Sequence, residues 1–487
     1  MAKKTVFPAG EANRSRTVAQ KPSSADRASY FARREAAKVL RSVLHGDAER
    51  RASASIKSLV YSPSVKNKRA TFALVCQTLK YLPIIKDVLE SAGVINSKWK
   101  NRKELLYIVA YDSLFGKKGN ICQGEAEKYL RSRDDALDVA LAKLLVKHKL
   151  KNIDQLASLC QSPEIKRPCY VRVNTLKIDV ETALQKFETD YEVLRDDIVS
   201  DLLILPADCD LHGHPLVLNG SVFVQGKGSS MVAAALDPKP GSEVIDACAA
   251  PGNKTVHLAA LMKGTGRIMA CELNKERLTR LEDTVRLSGA ANIKIVHDDF
   301  LNLNPSDPKY AKVSCILLDP SCSGSGTAAQ RLDHLLPSYG RSCEDTERLK
   351  KLAAFQRRAL SHALSFPAVE RIVYSTCSVN QMENEDVVAA IAPLAKSSGF
   401  HLVAPFPQWQ RRGVSGGDSD CYLRLDPVED KEGFFIALFV RDVVDGDKSL
   451  PSEHILEKTK PRRYFSYTRL SRVLIFSHIA GNFLNSE

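Results

Sequence analysis

The chain has 487 residues, enough for two or three domains with a sizeable buried core, and at 44% hydrophobic and 26% charged it reads as soluble and globular. Its net charge of +13 suits a polyanion, and nucleic acid fits better than an acidic membrane because no long amphipathic basic stretch stands out; the alternative is an excess held in solvated tails. There is no secretory signal, no run of about 18 apolar residues for a membrane span and no CxxC pair, so the 12 unevenly spaced cysteines read as reduced thiols of an intracellular protein without a structural zinc site.

Residues 1–28 are rich in Lys, Arg, Ser and Ala with few large apolar residues, the composition of a flexible basic tail, although Lys3 and Lys4 alone are a weak nuclear address. From 29 to 160 apolar residues recur at three and four (Tyr30, Ala37, Val39, Leu40, Val43; Leu105, Leu106, Val109, Ala110), which predicts a helical domain. Basic residues interleave with them (Arg33, Arg34, Lys38, Arg41; Lys98, Lys100, Arg102, Lys103) and form either an RNA-facing surface or a solvated helix face. Over 161–240, RPCYVRVNTLK, LLILP and SVFVQG read as strands of a small α/β lead-in segment. From 241 to 445 strands alternate with helices. The strands are expected at Glu243–Asp246, Arg267–Glu272, Ile293–His297, Ser314–Asp319 and Arg371–Ser375, with another at Phe434–Val440, and the helices begin near Lys254, Lys275, Asp345 and Asn384. That alternation is an α/β, doubly wound, mostly parallel sheet. Residues 446–487 read as a second basic tail, with no pattern assignable after about Lys458.

After the first of these strands comes Asp246-Ala-Cys-Ala-Ala-Pro-Gly-Asn-Lys254, whose small residues let a backbone approach a ligand at a helix N-terminus. A single Gly252 falls short of the three-glycine dinucleotide fingerprint. Glu272, 24 positions after Cys248, closes the second strand, where a carboxylate accepts ribose hydroxyls, and Asp299 follows the third. These features point to a nucleotide-like ligand, or to a structural turn. Two cysteines, Cys322 in LDPSCSG and Cys377 in YSTCS, stand at the carboxyl ends of neighbouring strands, where open sheets bind ligands. A thiolate there is either a nucleophile or buried filler.

DACAAPGNKT, LDPSCSGSG and IVYSTCSVNQMENEDVV resemble the signature segments of the Nop/Sun-domain RNA cytosine-5 methyltransferases, and RPCYVRVNTLK and VFVQGKGSS resemble the segments leading into their catalytic domain. The likeness covers about 165 to 440, and SIKSLVYSP with ALVCQTLKYLPIIKDVL is similar to the subgroup acting on large-subunit ribosomal RNA. The resemblance implies a Rossmann-like S-adenosylmethionine methyltransferase domain preceded by an all-helical one, a monomer working on RNA in the nucleus or nucleolus, without metal or membrane. It implies Cys377 as nucleophile, Cys322 as the helper that lets product leave, Asp319 on the pyrimidine edge and Lys254 near the base. Cys248, Ala249, Ala250, Pro251, Gly252, Asn253, Lys254, Glu272, Arg277, Asp299 and Asp319 match the family's cofactor-binding positions. One departure is Ser321, where many relatives carry a second proline; this loosens the turn and removes no functional group.

Two rival readings stand beside this one. In DNA cytosine-5 methyltransferases the cysteine after the Pro turn attacks, which would make Cys322 the nucleophile and leave Cys377 without a task. A non-catalytic RNA-binding assembly factor would keep the fold and leave RNA unmodified.

Overall fold

The computed structural model describes residues 23–442 apart from 49–55, 117–123, 154, 157–166, 208, 212, 328–331, 333–334, 338–341 and 415–417. The chain divides into two compact units, Met1–Asp442 and Val443–Glu487. The second unit, and with it the basic tail expected over 446–487, lies outside the described residues, as do residues 1–22.

The first helix, Ser24–Ala48, begins inside the stretch read as a tail. The side chain of Asp26 accepts from the Ser23 amide at 3.0 Å, the local bond that lets a polar segment start a helix. Its apolar stripe buries Ala36, Val39, Leu40 and Val43 against helices Lys68–Lys80 and Lys103–Leu114. Arg33 lies on that buried face, 2% exposed, and is neutralised by Asp112 (2.8 Å) and Glu127 (3.1 Å). A guanidinium taken out of water needs such partners. Arg33 therefore belongs to the interior and not to a basic surface. Arg34 and Arg41 likewise turn to Glu127 and Glu104, whereas Lys98, Lys100, Arg102 and Lys103 are exposed. Leu332, Leu335 and Leu336, from the chain that follows the Cys322 loop, pack against this helical core.

The lead-in segment is a four-stranded antiparallel sheet of β1 (Cys169–Val173), β2 (Leu194–Arg195), β3 (Leu202–Leu205) and β4 (Val222–Val224), in the order β2-β3-β1-β4. Asp179 caps its helix Val180–Glu188 by accepting from the Thr182 amide at 2.8 Å.

The larger, eight-stranded sheet is built from β5 (Glu243–Asp246), β6 (Arg267–Cys271), β7 (Ile293–Val296), β8 (Val313–Leu318), β9 (Arg371–Thr376), β10 (Phe400–Val403), β11 (Tyr422–Leu425) and β12 (Phe434–Arg441). Its order is β10-β12-β9-β8-β5-β6-β7, with β11 also on β12. Strands β5 to β9 run parallel, and β12 is antiparallel to β9, β10 and β11. Buried cores lie on both faces, which is why Ile316-Leu317-Leu318 and Ile372-Val373-Tyr374 are uninterrupted apolar runs. Strand order reverses between β5 and β8, so the crevice beyond the carboxyl ends of these strands is where a ligand fits. Asp246, Glu272, Asp299, Asp319 and Cys377 end or follow five adjacent strands on that edge.

Candidate active site

The side formed by β5, β6 and β7 is built from short local pieces. The loop after β5 stays tied to the sheet through Ala247 N to Leu317 O and Ala249 N to Cys271 O, both 2.9 Å. Gly252 takes φ 108°, and a Cβ there would lie 3.0 Å from Leu281 and Thr284 side chains, so only glycine fits as the chain turns into helix Asn253–Leu261. Ala249 and Ala250 are small enough to pack on Leu281, Pro251 completes the turn, and Asn253 opens the helix beside Lys254. Burial pushes the Cys248 thiol well above its ordinary value, which fits a lining residue and not a nucleophile.

Glu272 follows β6 and is only 5% exposed, buried for a strand-end carboxylate. It is covered because its Oε1 accepts from Asn274 N at 2.8 Å and its Oε2 lies 3.5 Å from Arg277 Nη1. Arg277 also donates to the Ala250 carbonyl, bridging the first and second strand ends. Asp299 follows β7 and caps the turn Phe300–Asn302 by accepting from Leu301 N at 3.0 Å. Glycine at a close approach, a helix N-terminus and a carboxylate on the adjacent strand suit a nucleoside bearing a cationic group. Sequence reasoning assigned no role to Asp246, which is buried, accepts from Thr255 Oγ1 at 2.7 Å and is pushed by that burial up to about 7.

At the ends of β8 and β9 the structure brings together Lys254, Asp319, Cys322 and Cys377. Lys254 Nζ lies 2.6 Å from Asp319 Oδ2, and Asp319 Oδ1 accepts from Ser375 Oγ at 2.8 Å. Burial acts to lower the Lys254 ammonium, but Asp319 outweighs it and holds it above its ordinary value. The Sγ atoms of Cys322 and Cys377, 55 residues apart in sequence, stand 3.3 Å apart. The hydrogen bond between them lowers Cys377 and raises Cys322; burial opposes the first shift and adds to the second, while Thr327 and Lys254 further favour the Cys377 thiolate. The two sulfurs share one hydrogen bond, in which either can donate, and the Asp319 charge works against the Cys377 thiolate while Lys254 works for it.

A buried polar network holds this geometry. The Gly326 amide donates to Cys377 O at 3.0 Å, and no side chain fits at Gly326 because a Cβ would lie 2.2 Å from the Gly433 carbonyl. Gln356 Nε2 donates to the carbonyl of Ser321 at 3.0 Å, pinning the turn that the missing proline was expected to loosen. Glu383 and Asn384 are both fully buried and reach the Cys377 loop through Ser378. The sequence signal for them was a polar run, Asn380 to Glu385, directly after the TCS cysteine, with no hint of its partners.

Residues 233–440 match the family described as 16S rRNA methyltransferase RsmB/F, and residues 69–157 match the N-terminal domain of NOL1/NOP2/Sun domain family member 5. The chain is 60% identical over 444 residues to the Arabidopsis thaliana 25S rRNA (cytosine-C(5))-methyltransferase NSUN5, covering 90% of this chain and 78% of that protein. It is 40% identical over 412 residues to a Mus musculus 28S rRNA (cytosine-C(5))-methyltransferase, covering 80% and 87%. The crystal structure of PH0851 shares the fold, with a TM-score of 0.60 at 24% identity over 83% of this chain and 99% of that one. With an N-terminal domain and a catalytic domain both matched, and full-length relatives well above 30% identity, the chain belongs to the Nop/Sun-domain family of RNA (cytosine-5) methyltransferases.

Proposed function

We propose that the protein methylates carbon 5 of a cytosine in large-subunit ribosomal RNA through a transient covalent bond between Cys377 and carbon 6 of the base, with Cys322 assisting release. The observation that carries this reading is the pair of thiols 3.3 Å apart beside the Lys254–Asp319 ion pair. Carbon 5 of cytosine is a poor nucleophile, and addition of a thiolate at carbon 6 pushes electron density onto it. Cys377 is the thiol whose surroundings favour the anion, so it attacks; this argues against the DNA-type arrangement in which Cys322 would.

S-adenosylmethionine, when bound, supplies an electrophilic methyl group on a sulfonium. Cys248 to Lys254, Glu272, Arg277 and Asp299 would hold it along the ends of β5, β6 and β7, with Asp319 at its border with the base. Asp319 accepts from the pyrimidine edge while Lys254 holds that carboxylate in orientation. After carbon 5 has taken the methyl group, it gives its proton to Cys322, which has become a thiolate by losing its own proton to water once Cys377 is bonded to carbon 6. The freed electron pair forms the carbon 5–carbon 6 double bond as the carbon 6–sulfur bond breaks, returning the Cys377 thiolate and the aromatic base. Cys322, beside the breaking bond, assists that proton loss and expulsion. The target base must leave its stack to reach a site at the sheet edge. The relatives described above are named 25S and 28S rRNA (cytosine-C(5))-methyltransferases, which supports a large-subunit substrate and a reaction in the nucleolus.

Bisulfite sequencing of ribosomal RNA from cells with and without this gene, together with tritiated-methyl transfer to a large-subunit transcript, tests the reading. One cytosine losing its methyl mark in the deletion and gaining label in vitro is expected. Unchanged marks and no transfer would instead favour an assembly factor.

A further inference from the structure

The network behind the two thiols converges on one carboxylate. Glu383 sits in the turn Gln381–Glu383, fully buried, and four donors point at it. Its Oε1 accepts from the Ser323 amide at 2.8 Å and from Gln356 Nε2 at 3.2 Å. Its Oε2 accepts from Ser378 Oγ at 2.6 Å and from Asn380 Nδ2 at 3.3 Å. Ser323 follows Cys322 and Ser378 follows Cys377, so one oxygen holds each cysteine loop. Gln356 repeats the bracket from behind, since the same Nε2 also donates to Ser321 O, on the other side of Cys322, at 3.0 Å. Tyr374, on β9, fixes the turn itself by donating to the Glu383 carbonyl at 2.5 Å.

We propose that Glu383 is a positioning residue of the methyl-transfer reaction, whose carboxylate sets the spacing of the Cys322 and Cys377 sulfurs. This rests on the two-thiol reading given above. A carboxylate is required because every group facing it is a donor. An amide offers one acceptor oxygen and turns an NH₂ toward Ser378 and Asn380, of which only the Ser378 hydroxyl can reverse its role. A buried carboxylate receiving several charge-assisted bonds is also far less free to move than any single pair would make it. Asp319 and Lys254, the other charged groups at the thiols, set the local charge and bond to each other and to Ser375 on β9. Without Glu383 the two loops have only hydroxyl and amide contacts between them, such as Ser323 Oγ to Ser378 Oγ at 3.1 Å, and the sulfurs lose their shared register.

The test uses the full chain, S-adenosylmethionine and a large-subunit rRNA transcript that the unsubstituted protein methylates. Glu383→Ala should lower kcat by about a hundredfold, the scale of a displacement near 1 Å at reacting groups, with KM for S-adenosylmethionine within about twofold. Glu383→Gln should recover roughly tenfold of that loss, because one oxygen and a reversible hydroxyl preserve half of the bracket. Iodoacetamide alkylation of the Cys377 peptide, followed by mass spectrometry across pH, should shift to higher pH in Glu383→Ala as the hydrogen bond to Cys322 that favours the Cys377 thiolate is lost. An unchanged kcat, a fall in kcat matched by the same fall in cofactor affinity, or an unmoved alkylation profile would overturn the assignment. If Glu383→Ala fails to fold, Gln356→Ala carries the test, with about a tenfold loss in kcat expected and none contradicting it. Cys377→Ala, run in parallel, separates the two claims. If it still methylates, the two-thiol reading falls; if it is inert while Glu383→Ala matches the unsubstituted protein, only the positioning role falls.

Discussion

The two halves of the site are built on different plans. Along β5, β6 and β7 each functional group is set by its own strand end and the next few residues: Gly252 by its turn, Glu272 by Asn274, Asp299 by Leu301. At β8 and β9 the sulfurs are 55 residues apart in sequence and are placed by Gln356, from a third segment, and by Glu383, from the turn that follows Cys377 but reaches across to the Cys322 loop. A ligand-binding edge that must admit and release a cofactor can be local and partly open. On the mechanism proposed above, a nucleophile and its helper must stay within van der Waals range through several steps and need a buried frame whose polar atoms satisfy one another. Damage to the first half should therefore appear mainly in affinity, and damage to the second in turnover.

The largest expected effect is Cys377→Ala, which should drop tritiated-methyl transfer to the no-enzyme level while calorimetry finds cofactor affinity unchanged. Residual turnover would erase the contrast between the halves. Glu272→Ala should do the reverse in kind, weakening S-adenosylmethionine by about ten- to a hundredfold through lost charge-assisted bonds. Glu272→Gln, which keeps the acceptor for Asn274 N, should retain the fold while still losing affinity, so an affinity unchanged from the unsubstituted protein in both variants would sink the ribose assignment.

A smaller effect concerns pH. Burial raises Asp246 to about 7 in the folded protein from an ordinary value near 3.8, so the folded state keeps a proton that the unfolded chain gives up. Stability from this group is full below the unfolded value, falls as pH climbs from about 4 to 7, and stays lost above that. Asp246→Asn, which keeps an acceptor for Thr255, should raise Tm at pH 8 by on the order of a few degrees and leave it nearly unchanged at pH 4. An equal change at both values would show that the carboxyl is not titrating there. The smallest change should come from Lys100→Gln with Lys103→Gln on the exposed helical face, which should reduce the salt slope of RNA binding by about one per lysine that meets a phosphate. Neither half of the site should respond, and a loss of kcat or of cofactor affinity there would contradict their independence.

How much of this was legible beforehand follows the same division. β5 was read to the residue, and β6 to β9 within one: β5, β6, β8 and β9 because a strand buried on both faces leaves an apolar run bounded by polar turn residues, and the edge strand β7 because its β-branched residues lie between such turns. Glu272 and Asp299 could be placed after β6 and β7 because their distance from a strand end is fixed by the chain itself. Arg33 was misread because periodicity shows which face a residue occupies but not that Asp112 and Glu127 wait on other helices. Glu383 and Gln356 received no role for the same reason. Their partners are brought by the tertiary fold, and nothing in a polar run after a cysteine says which oxygen will meet which amide.

The most direct test of the central claim is whether removing each thiol leaves a protein–RNA bond that survives denaturing gel electrophoresis. Cys322→Ala, incubated with S-adenosylmethionine and the large-subunit transcript, should still attack carbon 6 but release poorly, giving a slow-migrating covalent complex. Cys377→Ala and the double variant should give none, because trapping needs the attacking sulfur. A stable complex in Cys377→Ala and none in Cys322→Ala would reverse the roles of the two cysteines and contradict the account.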